Sequence, residues 1–305
     1  MTLTVRAETL ADYADIAAIN ARAFNRAAEA IIVALHRHRR RFDPQLSLVA
    51  EHDGRMVGHV LFSPRTIMLM GERVEAVNLA PIAIDPAYQR KGVGSALIEA
   101  GHEVARQKGY ALSFLLGHVS YYPRFGYQTQ AFGASTAIFQ MTANVGSPLM
   151  VRPPRDEDVS ALVTLWQGQE HDVDFAIEPD AELMAWISPN SEVQSRVYLK
   201  DGEIIGYVRG DLLNPRVFLA RDAECAGDIA GDLALELGKT EATLTLPLHP
   251  YSSFGQGLTT HCEAWSAAMV CPLLVDTPFD EYYAQVQAGR RQPGRPIWPV
   301  AFEVE

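Results

Sequence analysis

Residues 76–84, AVNLAPIAI, are apolar almost throughout and run into QRKGVG and then a stretch of helical periodicity. This succession constrains the fold more than any other part of the sequence. A short apolar run bounded by turn residues reads as a strand buried on both faces. Asp85-Pro86 ends it, and Gly92 and Gly94 open a helix with Val93, Ala96, Leu97, Ala100 and Val104 on one face. Arg106 and Lys108 in the last turn and Gly109 at its end suit the helix dipole and a left-handed C-cap. Residues 110–116 are the next strand. Pro81 cannot donate to a ladder, so it predicts a bulge or splay inside the strand. Upstream, Val5 opens a strand, residues 10–22 and 28–40 have helical spacing, and 46–51 with 56–62 form a hairpin around Asp53-Gly54. Residues 66–70 and 73–77 add a further turn of the meander. The fold class is α+β, one mixed and mainly antiparallel sheet flanked by helices.

A glycine-containing loop that opens a helix directly after a central strand is an anion site. The first-turn N–H groups have no intrahelical partner, and the glycines let a ligand approach the backbone. Arg90 and Lys91 add charge suited to phosphates. A nucleotide P-loop, GxxxxGK[ST], is absent. The dinucleotide pattern GxGxxG fails at its third glycine, where Leu97 stands, and no acidic residue ends the second strand to hold a ribose. What remains is Q/R-x-x-G-x-G/A, here Gln89-Arg90-Lys91-Gly92-Val93-Gly94. Downstream, Gly117-His118-Val119-Ser120-Tyr121-Tyr122-Pro123-Arg124-Phe125-Gly126-Tyr127 follows the second strand.

In this context the two segments resemble the GNAT acetyltransferases, in the form found in their YhbS-like and Eis-type members, and the resemblance spans residues 5–141. It implies acetyl-CoA as co-substrate and an N-acetyltransferase acting on a primary amine. Arg90, Lys91, Gly92, Val93, Gly94 and Ser95 would hold the pyrophosphate, and the backbone of Ile82, Ala83 and Ile84 the pantetheine arm in the gap beside the splayed strand. His118 would lie near the thioester. Acyl transfer needs a neutral amine, which is scarce near neutral pH for a group of pKa about 10.4, and a proton for the departing thiolate. The family's tyrosine falls five residues before the closing aromatic, at Tyr122, as general acid. The other reading of Tyr122 is an aromatic wedged into the core, a place Tyr121 fills equally well. Glu29 on the second helix is the candidate base or amine holder, with a solvated helix-surface glutamate as its bland alternative. His59 reads as a packed or half-exposed strand residue. In Eis-type enzymes the C-terminal carboxylate is the base; here the sequence stops at Glu305 without an evident third domain. The rival class is a non-catalytic acyl-CoA-binding sensor, which would bind coenzyme A tightly and acetylate no amine.

The halves echo each other. Leu3-Thr4-Val5-Arg6 with Asp12 and Ile16 recurs as Leu149-Met150-Val151-Arg152 with Asp158 and Leu162, and Asp53-Gly54 with Gly58 recurs as Asp201-Gly202 with Gly206. Residues 143–154 supply the Gly, Ser and Pro of a connection. The division expected is 1–145, a catalytic module; 149–275, a degenerate GNAT-like module without a coenzyme A loop; and 276–305, a linker and terminal strand. The loop's counterpart, placed near position 237, has no glycine pattern and is flanked by Asp222, Glu224 and Asp228. This tandem GNAT plan matches the Eis-type arrangement, and the second module either completes the acceptor cleft or makes a dimer contact.

Charge divides along the same line. The 305 residues carry 26 Lys+Arg and 37 Asp+Glu, a net charge of −11, of which residues 1–150 contribute +3 and 151–305 contribute −14. A net acidic chain argues against nucleic-acid binding. The acidic half could enrich a cationic acceptor, a small molecule or a protein, near the cleft. The basic run 36–41 reads as a solvated helix end. Cys225, Cys262 and Cys271 are odd in number without CxxC spacing, so disulfides are not expected and a reducing cytoplasm is. No metal-ligand spacing occurs. The N-terminal residues lack a signal pattern, and the longest apolar stretch, 265–275, is short of a membrane helix, so no membrane association is expected.

Overall fold

A computed structural model describes residues 3–142, 149–211, 214–238 and 241–304; of the connection expected over 143–154, residues 143–148 lie outside them. Strand β1 (Leu3–Ala7) leads into helices α1 (Tyr13–Phe24) and α2 (Ala28–Arg37), then β2 (Ser47–His52), β3 (Arg55–Leu69), β4 (Glu72–Ile84), α3 (Val93–Gln107) and β5 (Leu112–Leu116). These strands lie side by side in chain order, antiparallel except for β4 and β5. The apolar face of α3, with Val93, Leu97, Ile98 and Ala105, packs on one side of the sheet with Val60 and Phe62. Ile16, Ile19 and Val33 of α1 and α2 pack on the other with Val49, Leu61 and Ala83.

Of the four short strands expected over 46–77, the first is β2, the second and third merge into β3, and the fourth is the start of β4. β3 runs unbroken through Ser63-Pro64, and β3 and β4 form one long hairpin closed by Met70 and Gly71, both at positive φ (54° and 79°). Pro64 is tolerated because it lies between the part of β3 paired with β2 and the part paired with β8 (Ala176–Ile177), where that edge has no ladder to lose. The Pro81 expectation holds. The register jumps from Phe62↔Leu79 to Val60↔Ile82, one extra residue on β4, and pairing to β5 stops at Asn78↔Phe114. Beyond Asn78, β4 keeps β3 on one edge and leaves its other edge open.

The second half repeats this plan with β7 (Met150–Arg152), α4 (Val159–Glu170), β9 (Ser195–Lys200), β10 (Glu203–Gly210), β11 (Pro215–Ala220), α5 (Ala223–Glu236) and β12 (Glu241–Leu246). The echo reaches single hydrogen bonds. Arg6 grips Asp12 at 2.8 Å while Asp12 accepts from the Thr9 N–H; Arg152 grips Asp158 at 2.6 Å while Asp158 accepts from the Arg155 N–H. Asp53-Gly54 and Asp201-Gly202 make matching turns at positive φ. The hairpin of β10 and β11 is shorter than that of β3 and β4, so α5 starts at Ala223. The counterpart of the glycine loop is therefore Arg221-Asp222, not the region near position 237.

The halves also exchange strands. β6 (Gly133–Thr142) leaves the first half and lies between β12 and β13 (Thr259–Ala264). β14 (Ala268–Pro272) returns from the far end of the chain and pairs with β5. After α6 (Pro278–Gln287), the segment expected as a terminal strand makes a single 3-10 turn over Val300–Phe302. The basic run is not a solvated end: His36 and Arg39 are buried, and Arg37 pairs with Glu8 at 2.8 Å. An acidic segment of the second half meets this region, with Glu182 on Arg39 (3.2 Å), Asp180 on Arg65 (3.4 Å) and Glu178 on Arg73 (2.7 Å). Among the described residues no helix is long and apolar enough to cross a membrane.

Candidate active site

The open edge of β4 forms one wall of a cleft of about 1020 Å³. Its floor is the start of α3. Gly92 is the N-cap of that helix at φ 84°, so no side chain caps the first turn and its N–H groups face outward. Gly94 is required by a neighbour: a Cβ there would sit 2.6 Å from the Tyr121 hydroxyl. The opposite wall is the segment after β5. Gly117 admits the Tyr122 ring, which a Cβ would meet at 2.3 Å. The third wall is α1 and α2.

Of the residues singled out in the sequence, Ile82, Ile84, Arg90, Gly92, Gly94, Ser95, His118, Tyr122 and Glu29 line this cleft. Three do not. Ala83 alternates to the other face of β4 and packs under α1 and α2, Val93 is in the core below α3, and Lys91 lies outside the cleft with its ammonium 5.0 Å from the Tyr88 ring centre. The expectation for Ala83 concerns its backbone, which lies in the part of β4 that has β3 on one edge and no strand on the other.

Tyr122 is 8% exposed. Burial, with Tyr121 beside it, pushes its phenol up to about 12, so it carries its proton throughout the physiological range. Tyr121 packs edge-on against it with centroids 5.1 Å apart. Tyr127 is the structural member of the trio: its hydroxyl is fixed by Ser113 (2.7 Å) and His102 (2.9 Å). Glu29 is not the solvated surface residue of its bland reading. It is 6% exposed, and its carboxylate is gripped by Arg26 at 2.5–3.1 Å. His59 is packed, as read: Ser47 and Asn20 bond its two ring nitrogens, and burial lowers it to about 3.

Sequence reasoning missed Arg124. Its guanidinium stacks 4.0 Å from the Tyr121 ring centre and donates to Ser95 Oγ at 3.3 Å, which puts a further cation at the α3 terminus. The signal was the arginine inside YYPRFG. Phe302 was missed for want of any local signal: it reaches the cleft from the far end of the chain. Among the described residues no group of three His, Cys, Asp or Glu side chains is placed to hold a metal.

The second half has an equivalent helix start and fills it. Asp222, the N-cap of α5, accepts from the Cys225 N–H at 2.8 Å and occupies the position a phosphate would take.

The Acetyltransferase (GNAT) domain matches residues 4–130. The chain is 40% identical over 117 residues to the uncharacterized N-acetyltransferase YjhQ of Escherichia coli K12, covering 38% of this chain and 65% of that one, just under two thirds of its length. It is 35% identical over 130 residues to the uncharacterized N-acetyltransferase YhbS of the same strain, covering 42% of this chain and 75% of that one. This chain belongs to the GNAT acetyltransferase family. Solved structures extend the GNAT likeness over the second half as a likeness of fold. A GCN5-related N-acetyltransferase from Anabaena variabilis superposes with a TM-score of 0.67 at 14% identity, covering 90% of this chain and 74% of that one. Eis1 from Mycobacterium abscessus gives 0.58 at 16% identity, covering 89% and 74%.

Proposed function

We propose that the cleft takes acetyl-CoA and that the protein transfers its acetyl group to a primary amine. The observation that carries this is the uncapped start of α3, where Gly92 and Gly94 leave no side chain in the way and Arg90, Arg124 and the Ser95 hydroxyl gather. That cradle fits a pyrophosphate, and the open β4 edge at Ile82, Ala83 and Ile84 fits an extended amide chain as an added strand would. Bound there, acetyl-CoA supplies the activated thioester. The chain supplies the rest. Tyr122, protonated and aimed into the cleft, donates a proton to the thiolate as the C–S bond breaks and the C–N bond forms. The amine's own proton leaves to water or to a carboxylate at the α1/α2 wall, where Glu29 stands. His118, exposed at the mouth, borders the thioester end. The second module does not bind coenzyme A, because Asp222 fills its helix start with a carboxylate.

Thermal unfolding with acetyl-CoA and with ATP tests the ligand. Acetyl-CoA at about 100 times its Kd stabilises by about 2.7 kcal/mol, and ATP does not. Thiol release over a panel of amines tests the reaction. Strong stabilisation with no product from any amine would favour the acyl-CoA sensor instead.

A further inference from the structure

Where the cleft passes Ala80, Leu116 and Phe302 it adjoins a second cavity of about 440 Å³. Its remaining walls are Asn78 at the end of the β4–β5 pairing, Arg209 and Arg216 of the second half, and the C-terminal segment with Ile297, Trp298 and Glu303. We propose that this chamber holds the acceptor, and that the acceptor is a zwitterion: a small primary amine that also carries a carboxylate and has an apolar body. The proposal rests on the acetyl-transfer reading of the neighbouring cleft.

Place comes first. The two cavities share Ala80 at the β4 bulge, so a molecule in the chamber reaches the cleft at the strand's point of divergence. Charge decides the class. Glu303 is buried and uses Oε1 for both Arg209 Nε (3.1 Å) and Arg216 Nη1 (3.7 Å). Its Oε2 and the Asn78 Oδ1 are buried acceptors without a hydrogen-bond partner among the described residues. Unpaired buried acceptors are costly, and an ammonium has three donors to offer. Arg209 also donates from Nη2 to the Trp298 carbonyl at 3.1 Å, so it is held against the wall by two bonds. Arg216 is half-exposed, and its ion pair is too long for a hydrogen bond, so its guanidinium can grip a carboxylate. Two arginines face one carboxylate, which disfavours a multiply charged cation and suits a ligand with one charge of each sign. Leu116, Ile297, Trp298 and Phe302 give an apolar wall for the rest. An α-amino acid with an apolar side chain meets all three requirements.

The full chain is assayed by thiol release from acetyl-CoA with L-phenylalanine, L-phenylalaninamide and 2-phenylethylamine. The amino acid is expected to exceed both anion-free amines about tenfold or more in kcat/KM, the scale of one charge-assisted hydrogen bond. Arg216→Met brings that ratio toward one, and Glu303→Gln raises the KM of phenylalanine about tenfold while acetyl-CoA still raises Tm, which shows the variant is folded. Equal or better turnover of the anion-free amines by the wild type overturns the inference, as does a proportional loss on all three in Arg216→Met. So does turnover of none of the three while acetyl-CoA still stabilises the protein; acetyl transfer then stands with another acceptor class. Absence of any acetyl-CoA stabilisation removes the underlying reading as well.

Discussion

At the scale of the residue, the site depends on which side chains burial leaves charged or neutral. The hydroxyl of Tyr122 is pushed up to about 12 by burial, so its proton is available to a thiolate at every working pH. Tyr122→Phe is expected to lower kcat by ~10²-fold with acetyl-CoA affinity nearly unchanged. Loss of affinity in parallel with kcat would make Tyr122 a wall of the pocket, not the acid. The alkaline limb of the kcat profile is not expected to come from this residue below about pH 11. Buried histidines behave in the opposite sense. Burial lowers His59 to about 3, and His102 and His249 to about 4, against 6.5 in an unfolded chain. Between those values the unfolded state binds more protons than the folded one, so stability falls as pH drops from 6.5 toward 4. A Tm constant from pH 7 to 4 would show that these side chains are not held neutral in the folded state.

At the scale of the element, α3 and α5 are the same helix put to different uses. Both pack an apolar face on their sheet, and they differ at the N-cap, Gly92 in one and Asp222 in the other. Asp222→Ala is expected to cost ~1 kcal/mol of stability, the usual loss of an N-cap. It should leave acetyl-CoA stoichiometry at one per chain, because Glu224 keeps a carboxylate in the first turn of α5, where the first helix has Gly94. A second bound acetyl-CoA, measured by calorimetry, would show that the Asp222 carboxylate was all that kept the ligand out. Elements like these were legible in the sequence because their signals are local: the two-sided apolar strand, the glycine loop, the Gly109 cap and the Asp-Gly turns each lie within a few residues. Joins were less legible. Ser63-Pro64 reads as a break, and only the gap between the β2 and β8 ladders explains why β3 continues through it.

At the scale of the molecule, the modules are not separable along the chain. β5 has β14 as its outer neighbour, and β6 is completed by β12 and β13. Residues 1–145 expressed alone therefore present an unpaired β5 edge and an orphan β6, and are expected to aggregate or lack cooperative unfolding; co-expression with 149–305 restores both. A soluble, cooperatively melting N-terminal half would count against the exchange. The charge asymmetry also acquires a place. Part of the acidic excess of the second half neutralises Arg39, Arg65 and Arg73 across the junction, and that part is not available to attract a substrate.

What the sequence by itself determined is whatever depends on neighbours a few residues away: the strand–loop–helix at Gly92, the Tyr122 segment, the repeated hairpins and the Arg–Asp grips of the two modules. Backbone geometry and capping are local, and a repeat preserves them residue by residue. Tertiary structure decided what needs partners distant in the chain. It buried Glu29, His36 and Arg39, turned Ala83 away from the cleft, swapped β6 for β14, and brought Phe302 and Glu303 beside Ala80 and Leu116. No periodicity records such contacts, because strand pairing and ion pairing across hundreds of residues are fixed by packing and charge in three dimensions. The residues of the proposed chemistry lie in the first half of the chain, and the chamber beside them is walled only when the segment around Trp298 and Glu303 returns to it.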